Sequence, residues 1–131
     1  MRFLSRSRKE TNFNTERWFD SETVPGVRFA VRRPSLAQRI ELTRRVRDLL
    51  LNNEFLASGS EPEKLEAALG DLLVRRLYLE WGLANIEGLR IDGEIATVDN
   101  LISGGPEALA EEVASRIQLE CGLSEEERKN S

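Results

Sequence analysis

The spacing of apolar residues along this chain changes several times, and each change predicts an element. Val27, Phe29 and Val31 alternate with Arg28, Ala30 and Arg32, the period of two expected of a half-buried strand. Pro25-Gly26, just before them, is a turn dipeptide, because proline presets the first central torsion and glycine accepts the positive one that follows. Trp18 and Phe19 carry an apolar signal on the other side of that turn. A hairpin of roughly 16–21 with 27–32 is therefore expected.

From Pro34-Ser35 onward the period becomes helical. Ser35 and Gln38 have the spacing of a capping box, in which two side chains satisfy amides that the first turn leaves unpaired. Leu36, Ile40, Thr43, Val46, Leu49 and Leu50 then mark the apolar face of a helix. It is expected to close at Ser58-Gly59, with the glycine in the left-handed conformation. Ser60, Pro62 and Glu63 repeat the start signal for a second helix running to about Gly82. Its apolar positions, among them Leu65, Leu69, Leu73, Leu77, Tyr78 and Trp81, cover more than one stripe, which predicts contacts on two sides. A short connection makes the two helices an antiparallel pair.

Ile86, Leu89, Ile91 and Ile95 surround Gly88 and Asp92-Gly93. Asp-Gly is a hairpin turn signal because both central torsions can be positive there, so this stretch reads as a small ribbon, a structural joint covering one end of the core. Thr97 caps a short helix through Ile102, ended by Ser103-Gly104-Gly105. Pro106 is expected at the first position of the next helix, with Leu109, Val113, Ala114, Ile117 and Cys121 on one face and Glu107, Glu111, Glu112 and Glu120 on the other. Gly122 would close that helix, and Ser124 with Glu127 repeats the capping box. The predicted fold is α+β, mainly α: an antiparallel helix pair plus a C-terminal helix, with an N-terminal β-hairpin and a small central β-ribbon. Residues 1–12 are expected to be a flexible basic arm, 13–123 a single domain, and 124–131 a fraying charged tail.

Composition narrows the chemistry. The 131 residues fit one domain with a real core, and no apolar run reaches the roughly 18 residues of a membrane span. Nor does the basic start carry the apolar core of a secretory signal. A single cysteine, Cys121, cannot staple a monomer, which suits a reducing cytoplasm. Residues 1–50 hold twelve Lys or Arg against six Asp or Glu, whereas the remainder holds seven against seventeen. That polarity offers a candidate basic patch, Arg28, Arg32, Arg33, Arg44, Arg45 and Arg47, for nucleic acid or an acidic partner. Because these arginines alternate with acids and apolar residues, the preferred reading is neutralisation within the fold.

Histidine is absent, which removes the usual general base, the Ser–His and Cys–His nucleophile pairs and the commonest nitrogen ligand of zinc. Cys121, at the end of an acidic helix, reads as a packing residue. Neither a GxxxxGK[ST] nor a GxGxxG loop is present. Aromatic residues could stack on bases, but only Phe29 lies among arginines, and core burial is the plainer reading. No enzyme activity, cofactor or metal is expected. The excess apolar surface of the second helix instead suggests a groove for a partner helix, with Leu73, Leu77, Tyr78 and Trp81 as candidate contacts.

The segments VPGVRFAVRRPSLAQRIELTRRVRDL, LYLEWGL, IEGLRIDGE and ECGLSEEERKN, with the LI and GPEAL pieces between the last two, cover about residues 24–130. Together they resemble small tailed-phage and prophage proteins of tail-morphogenesis gene clusters, similar to phage tail assembly chaperones. The resemblance implies a mainly helical, non-enzymatic protein that binds the tape measure protein and recruits tail tube subunits, and it carries no defined binding residues onto single positions. A homo-oligomer is compatible with it. Two other readings stay open: a structural virion or head–tail connector component, and a nucleic-acid-binding regulator using the basic N-terminal half, whose affinity would fall steeply with salt.

Overall fold

The computed structural model describes residues 16–121. The expected arm at 1–12, the closing Gly122 and the Ser124–Glu127 cap lie outside them. In chain order the elements are β1 (Glu16–Asp20), β2 (Arg28–Arg32), α1 (Leu36–Ala57), α2 (Glu61–Gly82), β3 (Leu83–Glu87), β4 (Arg90–Ile91), β5 (Glu94–Ile95), α3 (Val98–Gly104) and α4 (Glu107–Cys121). The architecture is α+β and mainly helical.

Local signals act where the sequence places them. Ser35 accepts from the Gln38 amide while Gln38 returns a bond to the Ser35 amide, and Ser60–Glu63 and Thr97–Asn100 make the same reciprocal cap. Gly26 (φ 88°) completes the first turn, and Asp92 (φ 51°) with Gly93 (φ 82°) closes the β4–β5 ribbon, two successive positive torsions as a tight hairpin requires. Gly59 differs from expectation. It is not left-handed; α1 ends at Ser58, whose amide donates to the Leu56 carbonyl, and a Cβ at Gly59 would meet the Glu63 carboxylate. The small residue makes room for the capping acid of the next helix. Pro106 also sits one place earlier than expected, its carbonyl accepting from the Ala110 amide and α4 starting at Glu107.

The sheet is larger than the predicted hairpin. β2 is central, antiparallel to β1 on one side and to β3 on the other. The start of the supposed ribbon, Leu83–Glu87, is thus a strand of the N-terminal sheet, and only residues 90–95 form the small ribbon. Phe19, Phe29 and Ile86 are register partners in a row across the three strands and share the core face. Ala30, between Trp18 and Asn85 on the opposite face, is fully buried as well, which breaks the simple alternation.

The core joins that sheet to α2, α3 and α4: Leu79 and Leu83 from the α2–β3 junction, Leu101 from α3, and Leu109, Val113 and Ile117 from α4. α2 packs on α1 on one side and on α4 on another, the two-sided contact its apolar content predicts. On α1 the inward side chains are Leu42, Val46 and Asn53. Leu36 and Ile40, read from periodicity as part of the packed face, are instead exposed. The α1–α2 contact is close because Ala67 and Gly70 face it: the Asn53 side chain fills the space that a Cβ at Gly70 would take and donates through Nδ2 to Asp71 Oδ1 at 3.0 Å.

The C-terminal helix also holds the first turn. Glu112 accepts from the Ser21 hydroxyl and the Glu22 amide, each at 2.6 Å, and from the Thr23 amide at 3.3 Å. Partial burial alone would raise the carboxyl pKa, but these donors outweigh it and hold the group below its ordinary value. Glu112→Gln is expected to lower stability by about 2 kcal/mol, the scale of hydrogen bonds to a charged group, as read by urea denaturation at pH 7. A carboxyl depressed on folding stabilises fully above its unfolded pKa and loses that contribution as pH falls through its folded value. The gap between wild type and variant should therefore shrink on acidification below the ordinary carboxylate range.

Candidate functional site

α2 is enclosed on only part of its circumference. Its small residues Ala67 and Gly70 admit α1 and its C-terminal half receives α4, which leaves Leu65, Leu69, Leu72 and Leu73 at the surface, from 41% exposed at Leu73 to 72% at Leu65. At helical spacing these four share one side of the cylinder. Scattered surface leucines are ordinary, but four in one row form a strip on which an apolar helix face could lie. A second row runs along α1: Leu36, Ile40, Leu51 and Phe55, from 59% exposed at Leu51 to 75% at Leu36. It lies opposite the inward positions of that helix. A groove of about 400 Å³ follows its N-terminal part, lined by Leu36, Ile40 and Thr43 with Arg39, Arg44 and Arg47.

The four partner-contact candidates separate. Leu73 belongs to the exposed row. Leu77 is partly buried against the core. Tyr78 is only 6% exposed and part of the core, so as a contact residue it is corrected: α4 covers the side of α2 on which it lies. Trp81 is half-buried, with the Arg45 guanidinium 5.8 Å from its ring. It lines a cavity of about 250 Å³ with Arg32, Arg33, Gln38, Leu42 and Cys121, a juxtaposition no local pattern announces. Leu65, Leu69 and Leu72 join Leu73 in the row without having been expected contacts. The signal that would have found them was Ala67 and Gly70, small residues that mark the side a neighbouring helix approaches and so leave the leucines outside.

Most of the candidate basic patch is committed to nearby acids. Arg28 pairs with Asp20 at 3.4 Å and Glu87 at 3.7 Å and lies over the Trp18 ring. Arg44 and Arg45 both bind Glu41, whose carboxyl they hold below its ordinary value chiefly through those hydrogen bonds, and Arg47 contacts Asp48 at 3.1 Å. Arg32 and Arg33 are exposed. Phe29, the aromatic expected to lie among arginines, is 1% exposed, so no base can stack on it. Further cations lie over aromatic rings elsewhere, as Arg116 does over Phe19 at 4.6 Å, which serves packing.

No group of acids and cysteine with metal-ligand geometry occurs among the described residues, and no described helix is long and apolar enough to cross a membrane. Cys121 is buried and free; its thiol donates to the Arg32 carbonyl at 3.3 Å. Burial, reinforced by the charge of Glu120 and opposed by Arg39, pushes its pKa up to about 11. Since the thiolate is the reactive form, Cys121 should resist alkylation in the native protein at pH 8 and react stoichiometrically once denaturant is added. Rapid native labelling, followed by mass spectrometry, would contradict this assignment. Comparison with protein-family models, curated proteins and solved structures gives no match.

Proposed function

We propose that this protein is a non-enzymatic, cytoplasmic assembly factor of tailed-phage tail morphogenesis, similar to tail assembly chaperones, that holds an amphipathic helix of a tape measure or tail tube protein. Two things support the reading: the sequence resemblance over residues 24–130 and the apolar character of the exposed surface. The single observation that carries it is the row Leu65, Leu69, Leu72 and Leu73 on a helix otherwise packed on two sides. Helix-in-groove recognition uses anchors at this spacing, and long helical clients offer many matching faces. The ion-paired arginines lend the nucleic-acid reading little support, because a phosphate would have to displace Glu41, Asp48, Asp20 and Glu87.

Co-expression with a tail tape measure protein tests the proposal. Wild type should co-purify with it at low and high salt, whereas Leu65→Lys/Leu69→Lys should lose it with little change in thermal stability, since these are the two most exposed side chains of the row. A chain that fails to associate at either salt concentration, or a double variant that binds as well as wild type, rules the reading out.

A further inference from the structure

Most arginines of this acidic chain, with its net charge of −4, are answered from within. Among the described residues every arginine except two engages a carboxylate, a backbone carbonyl or an aromatic ring. The two are Arg32 and Arg33, neither of whose guanidinium groups has a partner among the described residues. Arg32 makes no ion pair even with Glu16, its register partner on β1. Both are exposed, and both line the same cavity of about 250 Å³ at the C-terminal end of α2.

No acid stands in the wall of that cavity. Its base is tied together by two hydrogen bonds: the Cys121 thiol donates to the Arg32 carbonyl at 3.3 Å, and Arg39 Nε donates to the Cys121 carbonyl at 3.2 Å. Burial keeps the thiol protonated, so no negative charge lies behind the arginines. Pro34, Leu42 and Trp81 supply apolar wall. Arg45 lies over the Trp81 ring without itself lining the cavity, so the indole still presents surface to the space. Gln38 spends its side-chain oxygen on the Ser35 amide at 2.9 Å, which leaves its amide nitrogen as a further donor at the rim.

One exposed arginine without an acid is ordinary; two on one concave, acid-free wall beside an indole define a chemistry. Guanidinium groups present planar forks of donors that match the oxygens of carboxylates and phosphates. Two of them balance a dianion, and a phosphate monoester carries close to two charges near neutrality. The volume falls below the roughly 300–1,000 Å³ of sites for drug-sized ligands, so it has room for one ring and its anionic group. We propose that this cavity binds a small aromatic phosphate monoester, its phosphate held by Arg32 and Arg33 and its ring packed against Trp81. The site is separate from the client surface, since Leu65, Leu69, Leu72 and Leu73 lie on the N-terminal half of α2 and Trp81 at its other end. Loss of either leaves the other standing.

Titration of the nitrogen-15-labelled full chain with phenyl phosphate, followed through its two tryptophan indole N–H signals, tests the proposal. The Trp81 signal should move saturably with a Kd of about 1 mM, the strength open to a ligand of this size. The Trp18 signal should stay in place, because the arginine over that ring, Arg28, is already paired with Asp20 and Glu87. Benzoate, inorganic phosphate and phenol, each lacking one part of the match, should all bind more weakly. Arg32→Gln and Arg33→Gln should each weaken phenyl phosphate roughly tenfold, the scale of a lost hydrogen bond to a charged group, with native circular dichroism, since both side chains face solvent. Arg47→Gln, whose arginine is paired with Asp48 outside the cavity, should leave binding unchanged. A Trp81 signal that does not saturate by ~10 mM, benzoate or inorganic phosphate binding as tightly as phenyl phosphate, or glutamine variants of Arg32 and Arg33 that bind like wild type would each overturn the proposal.

Discussion

Phe29→Ala is expected to destabilise the protein by about 3–5 kcal/mol, the cost of truncating a buried aromatic when its surroundings close the cavity only in part. Phe29 is 1% exposed on the central strand. Phe19 stands beside it on β1, ring centroids 5.8 Å apart, and Ile86 beside it on β3. Truncation removes the ring that joins the hairpin to the third strand and presses the sheet against α4. Against a total of roughly 5–15 kcal/mol for a domain of ordinary stability, such a loss populates the unfolded chain at ambient temperature. Urea titration should show a lower midpoint at unchanged slope. A shift worth less than about 1 kcal/mol would mean that the sheet is not the centre of the core.

Gly82→Ala should also destabilise, by less than Phe29→Ala, although the same change in an exposed helix interior stabilises by roughly 1 kcal/mol. Gly82 ends α2 and is buried. A Cβ there would fall inside the contact distance of Ile117 Cγ2, with Cγ1 3.0 Å away, and Ile117 is fully enclosed on α4. A branched side chain packed on every side cannot swing clear, so α4 must move away from α2. Overpacking of this kind costs about 1–3 kcal/mol and at times more, which outweighs the propensity gain. The cause is separable by a double-mutant cycle: Gly82→Ala in an Ile117→Ala background should lose at least about 1 kcal/mol less than in wild type. Strict additivity would place the damage somewhere other than this contact.

Elements were legible in the sequence wherever the deciding interaction spans a few residues. Helix starts at Ser35, Ser60 and Thr97 and the turns at Pro25-Gly26 and Asp92-Gly93 depend on side chains and torsions within three or four positions, and each forms as expected. The inward face of α4 was equally plain, because its large apolar residues follow a single stripe. α1 was not, because it carries two apolar arcs, one through Leu42 and Val46 and one through Leu36, Ile40, Leu51 and Phe55. Helical periodicity has no means of choosing between them.

For the same reason the candidate surface was only half readable. An excess of leucine on α2 is visible in the sequence and suggests a partner, but the expected contact residues lie partly in the core. Tyr78 is drawn inward by α4, a helix far later in the chain, whereas Leu65, Leu69 and Leu72 are left outside because α1 comes in over Ala67 and Gly70 on another side of α2. The arginines likewise looked like a patch in one dimension, and ion pairs with Glu41, Asp48, Asp20 and Glu87 dispersed it.

By itself, then, the sequence determined the order of the helices, the caps that start α1, α2 and α3, the turns, and the lack of histidine chemistry, since propensity, capping and composition act locally or not through space at all. Only the tertiary structure decided that Leu83–Glu87 would pair with β2 across more than 50 residues of chain, and which arc of each helix would be covered. Strand partners and buried faces are selected by the joint burial of distant segments, a condition satisfied by the whole chain at once and by no stretch of it alone.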